Sequence, residues 1–231
     1  MKLTSSAAGF WTRLSQSRVL SALEVLLGGA IVIGHNVFHI VPNEVPILVV
    51  LAILSMRLRS AKWAWSSLGF RRPVSWKRIF VIALGAAVLR IALDDFVVEP
   101  ISAHFWPPAI APSLANGLTG NFRMVLNYLP LIWGSAAFGE EIGYRGYLLN
   151  RAADAGGRGT RAWVVAVILV SVLFGYGHYY KGPAGIVSSG IAGLILAGAY
   201  LLSGKNLWTT ILAHGMIDTF GLVALYFGWD N

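Results

Sequence analysis

Long apolar stretches recur along this chain, separated by short clusters of charged or turn-forming residues, and the apolar positions do not alternate with a period of two. A helix needs about 20 apolar residues to cross roughly 30 Å of hydrocarbon. In lipid, only helices and closed barrels satisfy their own backbone hydrogen bonds, and a barrel would show the missing alternation. The pattern therefore predicts an all-α, polytopic transmembrane helical bundle. Its candidate spans cover about 19–35, 42–56, 79–98, 122–150, 162–180, 183–203 and 206–227, which makes about seven crossings. The second span is short enough to be tilted or re-entrant. Pro130 could divide the fourth and add an eighth segment.

Composition agrees with this reading. Of 231 residues, 56% are hydrophobic and 12% charged, where a soluble domain carries about a quarter charged residues, and the mean hydropathy is +0.66. The absence of cysteine excludes disulfides, a thiolate-ligated zinc site and a thiol nucleophile. The first span carries Glu24 and lacks a small-residue cleavage site, so it reads as an uncleaved helix. No repeat, linker or soluble insert interrupts the chain, and residues 1–231 read as a single integral membrane domain.

The net charge of +8 would suit a nucleic-acid partner, but its placement argues for lipid instead. Lys2, Arg13 and Arg18 precede the first span, seven basic residues lie between Arg57 and Arg78, three (Arg151, Arg158, Arg161) follow the fourth span, and Lys205 precedes the last. The opposite face has Lys181, and the stretch from Glu99 to Gly120 has no basic residue. Cytoplasmic loops retain Lys and Arg, so the N-terminus is expected in the cytoplasm. Trp63, Trp65 and Trp76 among the cations fit an anchor on anionic headgroups. The expected partners are membrane lipids, not nucleic acid.

Ionisable groups inside spans are expensive, roughly 3 kcal/mol or more each, and ask for a partner or a function. The second half gathers several: Glu140, Glu141 and Arg145 in GEEIGYRGYLLNR, His178 in FGYGH, and His214 and Asp218 in AHGMID. Residues four apart share a helix face, whereas adjacent ones point about 100° apart. Glu141 and Arg145 then form an ion pair with the acid N-terminal and read as structural. Glu140 faces elsewhere with no charged partner on its own helix, which makes it the candidate general base. The same spacing puts His214 with Asp218, and Phe174 with His178, each pair on one face. Two imidazoles with carboxylates can ligate a metal or stabilise an oxyanion, and a water held near Glu140 could attack a peptide carbonyl without a covalent intermediate.

These groups also resemble the three motifs of the CPBP family of intramembrane proteases, the CAAX-processing and bacteriocin-processing type: EExxxR, FxxxH and HxxxN or HxxxD. They stand here as Glu140, Glu141 and Arg145, then Phe174 and His178, then His214 and Asp218, within about residues 130–225. The resemblance implies an intramembrane endopeptidase of a bacterial cytoplasmic membrane, acting on a membrane-associated or lipidated peptide or protein. Glu140 would activate water, His178, His214 and Asp218 would complete the catalytic set, and Glu141, Arg145 and Phe174 would support it. No obligatory cofactor is expected. The alternative is a divalent metal such as zinc on His178, His214, Asp218 and Glu140. An ionised Asp218 only accepts hydrogen bonds, so in place of Asn it must orient His214, carry a proton or bind a metal. The competing readings are a proton- or ion-coupled transporter, in which the same groups would relay protons, and a catalytically silent scaffold.

Elsewhere, His35 and His39 read as a solvated helix end. Arg90 and Asp94 read as an i,i+4 pair, with Asp95 beside it. Gly185, Ser189, Gly193 and Ala197, one every four residues, read as a packing face with no site. Distances counted along the spans put His178 nearer the outer face than Glu140 or His214, a mismatch that tilt or a late helix start would remove.

Overall fold

The computed structural model describes residues 16–59, 64–106 and 115–229; Lys2, Arg13, Lys62, Trp63 and the middle of the proline-rich stretch lie outside these. Among the described residues there is no strand, and the helices join into seven rods. In chain order they are α1 (Arg18–Asn36), α2 (Glu44–Arg59), α3 (Trp76–Leu93) continued through a π-helical turn (Asp94–Val98) into α4 (Glu99–Phe105), α6 (Phe122–Leu131) continued into α7 (Leu149–Ala155), α8 (Thr160–Tyr176), α9 (Gly182–Leu202) and α10 (Leu207–Phe227). A one-turn α5 (Ala115–Leu118) and 3₁₀ turns at Trp65–Leu68 and Tyr179–Lys181 complete the chain.

The helix starts follow local chemistry. Ser17, Ser75, Asn121 and Asn206 each cap a helix by accepting a hydrogen bond from a backbone N–H in its first turn. Gly228, in the left-handed region, ends α10. Within α1 the buried positions Ser21, Val25, Gly28 and Val32 form one stripe facing the bundle. Its large apolar neighbours Leu23 and Leu26 point outward, as a lipid-facing surface allows.

The fourth rod does not split at Pro130. After Leu131 the backbone passes into two π-helical stretches, Ile132–Glu140 and Ile142–Leu148, before returning to α-helix. Proline removes one N–H donor and crowds the preceding turn, and the wider winding absorbs that fault without breaking the rod. No eighth segment forms here. The rod crosses the middle of the core, where Tyr144, Tyr147, Leu148 and Leu149 pack with Val32, Leu48, Phe174 and Ile211.

By length and composition, three segments can cross a membrane unaided: Arg18–Asn36, Tyr179–Leu202 and Leu207–Phe227; Thr160–Tyr176 is apolar but shorter. The rods built on α3 and α6 are interrupted by the ionisable residues that give the interior its polar network. α9 packs extensively on α8, and α10 on α3 and the first π-helical stretch. The α8–α9 contact uses the anticipated small-residue face: a Cβ on Gly193 would stand 3.0 Å from Ser171 Cα. On the facing helix a Cβ on Gly175 would stand 2.5 Å from the Ile186 carbonyl oxygen, a backbone atom that cannot turn aside.

That contact yields a stability test. Gly175→Ala must push α8 and α9 away from each other and is expected to destabilise by about 1–3 kcal/mol, read as a lower unfolding midpoint of the purified protein. Gly198→Ala, where nothing lies within 4 Å, is expected to match or exceed wild type because Ala is the better helix former. Equal midpoints for the two variants would contradict the close α8–α9 approach.

Candidate active site

All three motifs meet around one aromatic ring. Phe174, near the end of α8, is 2% exposed. Its centroid lies 5.0 Å from that of Tyr144 and 5.0 Å from that of His178. It lies 5.9 Å from the ring of His214, and the Arg145 guanidinium carbon sits 4.3 Å above it. A buried guanidinium on an aromatic face is a favourable cation–π contact. Phe174 therefore spaces the two histidines and the arginine.

The Glu141–Arg145 pair inferred from spacing is present, with Nη1 donating to Oε1 at 2.7 Å and side-chain exposures of 1% for Arg145 and 0% for Glu141. The same Oε1 meets His214 Nδ1 at 2.9 Å. On its other side, His214 Nε2 lies 3.5 Å from Asp218 Oδ2. His214 thus stands between two carboxylates, with Glu141 the nearer. Spacing alone pairs His214 with Asp218. The closer partner comes from a helix 73 positions away, a contact that periodicity within one span does not report. Arg145 Nη2 also reaches the Gly193 carbonyl at 3.4 Å, so the α9 stripe read as packing alone also contributes an acceptor to the site.

Glu140, at the end of the first π-helical stretch, has a different environment. Its Oε2 is buried and has no hydrogen-bond partner among the described residues. The charges acting on it are those of His214, Asp218, Glu141 and Arg145. Adjacent in sequence, the two glutamates differ in their partners: Glu141 holds Arg145 and His214 on Oε1, with its own Oε2 also unpartnered, whereas Glu140 makes no ion pair among the described residues.

The mismatch in the height of His178 resolves through the end of α8. The helix stops at Tyr176, short of the expected 180, and His178 occupies the turn that follows. A Cβ on Gly177 would stand 2.7 Å from the Tyr144 hydroxyl, so only glycine lets the chain fold inward there. His178 Nδ1 then bonds the Phe174 carbonyl at 3.0 Å. A carbonyl only accepts, so Nδ1 carries the proton and Nε2 is left unspent. The start of α8 is also level with Lys205, whose ammonium lies 4.1 Å from the centroid of the Trp163 ring. From there Phe174 and His214 are at similar heights, roughly 16 and 14 Å along their helices.

The metal alternative was tested on the donor set. Among the described residues no three His, Asp or Glu side chains converge as metal ligands. Both His214 nitrogens already face carboxylates, whereas His178 keeps Nε2 open with Nδ1 on a carbonyl. The arrangement as it stands does not fit the proposed set of His178, His214, Asp218 and Glu140.

Two further residues belong to this site. Tyr144, 1% exposed, fixes Phe174 edge-on and abuts the Gly177 turn; as an aromatic in an apolar span it carried no sequence signal. Trp133 packs against the backbone beside His214, where a Cβ on Gly215 would stand 2.5 Å from its ring. Outside the site, Arg90 pairs with Asp94 at 2.8 Å as expected, and Ser188 of α9 bridges both. His35 departs from the solvated reading: its Nε2 pairs with Glu44 at 3.1 Å and its Nδ1 with the Val41 carbonyl at 2.9 Å, closing the turn between α1 and α2. His39 is exposed, with φ of 55°.

No curated protein and no solved structure matches this chain. Residues 122–220 match the family model described as type II CAAX prenyl endopeptidase Rce1-like. The match spans the rod from α6 to α7, both following helices and α10 past Asp218, and so includes every residue described around Phe174. Residues 122–220 are accordingly similar to that family, in agreement with the CPBP resemblance, and lie in a chain with three helices long and apolar enough to cross a membrane, which supports a membrane endopeptidase in general.

Proposed function

We propose that the chain is an intramembrane endopeptidase that uses Glu140 to activate water, with His178, His214 and Asp218 completing the catalytic set. The observation that carries this reading is the buried, unpartnered Oε2 of Glu140 beside the His214–Asp218 pair. In the hydrolysis, an O–H bond of water breaks and the proton passes to Glu140 as the water oxygen bonds the scissile carbonyl carbon. Glu140 then returns the proton to the leaving amine as the C–N bond breaks. His178 Nε2, which carries the lone pair, accepts a hydrogen bond from the water and orients it. Asp218 restrains His214 from one side, while Glu141 holds it from the other. Glu141, Arg145 and Phe174 position the set.

The substrate class is a peptide or lipidated protein reaching the site from the bilayer. The basic residues Arg18, Arg59, Arg151, Arg158 and Lys205 lie towards one end of the bundle, which supports a cytoplasmic N-terminus in a bacterial inner membrane. Hydrolysis through these residues requires no obligatory metal in this reading.

The first test is cleavage of a membrane-protein library by purified protein in lipid. Glu140→Gln is expected to lower the rate about 10²–10⁴-fold without lowering the unfolding midpoint, since it removes no hydrogen bond. Cleavage by this variant at the wild-type rate would overturn the role of Glu140. Glu141→Gln leaves Arg145 and His214 facing a neutral amide and is expected to destabilise, by about 3–5 kcal/mol. A Glu141 variant as stable as wild type would contradict its positioning role. For the metal question, cleavage is expected to survive prolonged treatment with a zinc chelator. Loss under the chelator with recovery on adding zinc would replace this mechanism by a metal-dependent one.

A further inference from the structure

At the basic end of the bundle lies a cavity that hydrolysis does not use. It has a volume of about 230 Å³, sits where the end of α2 meets the Trp65–Leu68 turn and α7, and draws its charge from Arg59, Arg151, Arg158 and Asp154. The arginines are held in place. Asp154 pairs with Arg151 at 3.0 Å and also with Arg158, Glu24 of α1 pairs with Arg59, and Arg158 Nη2 donates to Asn150 Oδ1 at 3.0 Å. Counting Arg57, which lines the adjoining cavity with Glu24, four arginines face two carboxylates and leave an excess of positive charge. The Arg151 and Asp154 side chains are 11% and 19% exposed and that of Arg158 is 45% exposed, so the charge reaches from the cavity wall to its mouth, where a headgroup can meet it.

A second cavity, of about 480 Å³, shares Ser55 and Tyr147 with the first and runs between α1 and α2. Apart from Glu24 and Arg57 at its charged end, its walls are Leu20, Leu27, Leu51, Leu54 and Leu58. Leu27 and Leu54 are 50% and 57% exposed on the outer surface of the bundle, so the groove opens towards lipid. A pocket with an excess of positive charge therefore continues into an apolar channel.

We propose that this end of the protein is a binding site for an anionic phospholipid, with the phosphodiester held by Arg151 and Arg158 and an acyl chain lying in the α1–α2 groove. A phosphodiester brings negative charge to this excess, and guanidinium forks match its oxygens. Basic pockets between transmembrane helices are suited to such headgroups. The site is independent of the catalytic groups, so it stands or falls apart from the protease reading.

The test is native mass spectrometry of the whole protein released from nanodiscs of equal phosphatidylglycerol and phosphatidylcholine. Wild type is expected to retain phosphatidylglycerol at least tenfold over phosphatidylcholine, and R151Q/R158Q to lose about tenfold of that retention. L54W fills the groove while leaving every charge in place. It is expected to weaken lipid retention as well, and it carries the test if the double variant does not fold. Equal retention of the two lipids by wild type would overturn the proposal, as would full retention by folded R151Q/R158Q. Full phosphatidylglycerol retention by L54W would overturn the placing of the acyl chain in the groove, and binding of inorganic phosphate by wild type without preferential retention of phosphatidylglycerol would assign the pocket to free phosphate and exclude the lipid site.

Discussion

A carboxylate sealed inside a helical bundle has no water to share its charge, and Glu141 meets this constraint with two cation-capable partners on a single oxygen. Arg145 reaches it from the next turn of its own rod, and His214 from α10. Arg145 cannot leave without stranding the carboxylate. It is further committed to the Gly193 carbonyl on α9 and to the face of Phe174 on α8. The single buried charge thus ties together four rods. Removing one partner of such a group costs far more than the pair contributes in isolation, because the remaining charge stays desolvated. Helix–helix association in lipid gains little from apolar burial, which makes this polar tie more important here than it would be in a soluble bundle.

The chemistry of the site follows from that tie. With Glu141 occupied, His214 is held at Nδ1 and approached by Asp218 at Nε2, so its orientation is set from both sides. With Phe174 clamped between Arg145 and Tyr144, the turn at Gly177 has only one surface on which to lay His178. Glu140 is then the carboxylate at the centre that holds no ion pair among the described residues, whereas Glu141 and Asp218 both do. In the proposed reaction this division is what matters: the base changes its protonation in each cycle, and its neighbours must not.

Much of this was legible in the chain because each feature depends on local spacing. Seven apolar stretches correspond to seven rods, and the four-residue intervals to the Glu141–Arg145, Arg90–Asp94 and His214–Asp218 pairs. What escaped depended on contacts between distant segments. Nothing in the sequence around His214 indicates that Glu141 lies closer than Asp218, nor does the span of His35 announce Glu44 across a turn. The end of α8 falls short of its expected place because apolar character continues past Tyr176. The helix ends on Gly177, where the Tyr144 hydroxyl of another rod leaves no room for a Cβ. Glu24 is an isolated charge in the first span until α2 brings Arg59 beside it.

The treatment of proline links fold and site. A proline in a membrane helix leaves a backbone acceptor without its donor, and lipid offers nothing to replace it. In this chain both long π-helical regions adjoin a proline, Pro130 before one and Pro100 after the other. Each also carries acidic residues of its rod, Glu140 in the first and Asp94 and Asp95 in the second. A wider turn shifts the carbonyls out of register with the ordinary i→i−4 pattern. It is tolerable only where neighbouring helices cover the backbone, which is also where a charged side chain finds partners. The conditions that permit the irregular winding are therefore those that permit a buried carboxylate, and the two coincide in the rod that crosses the centre of the molecule.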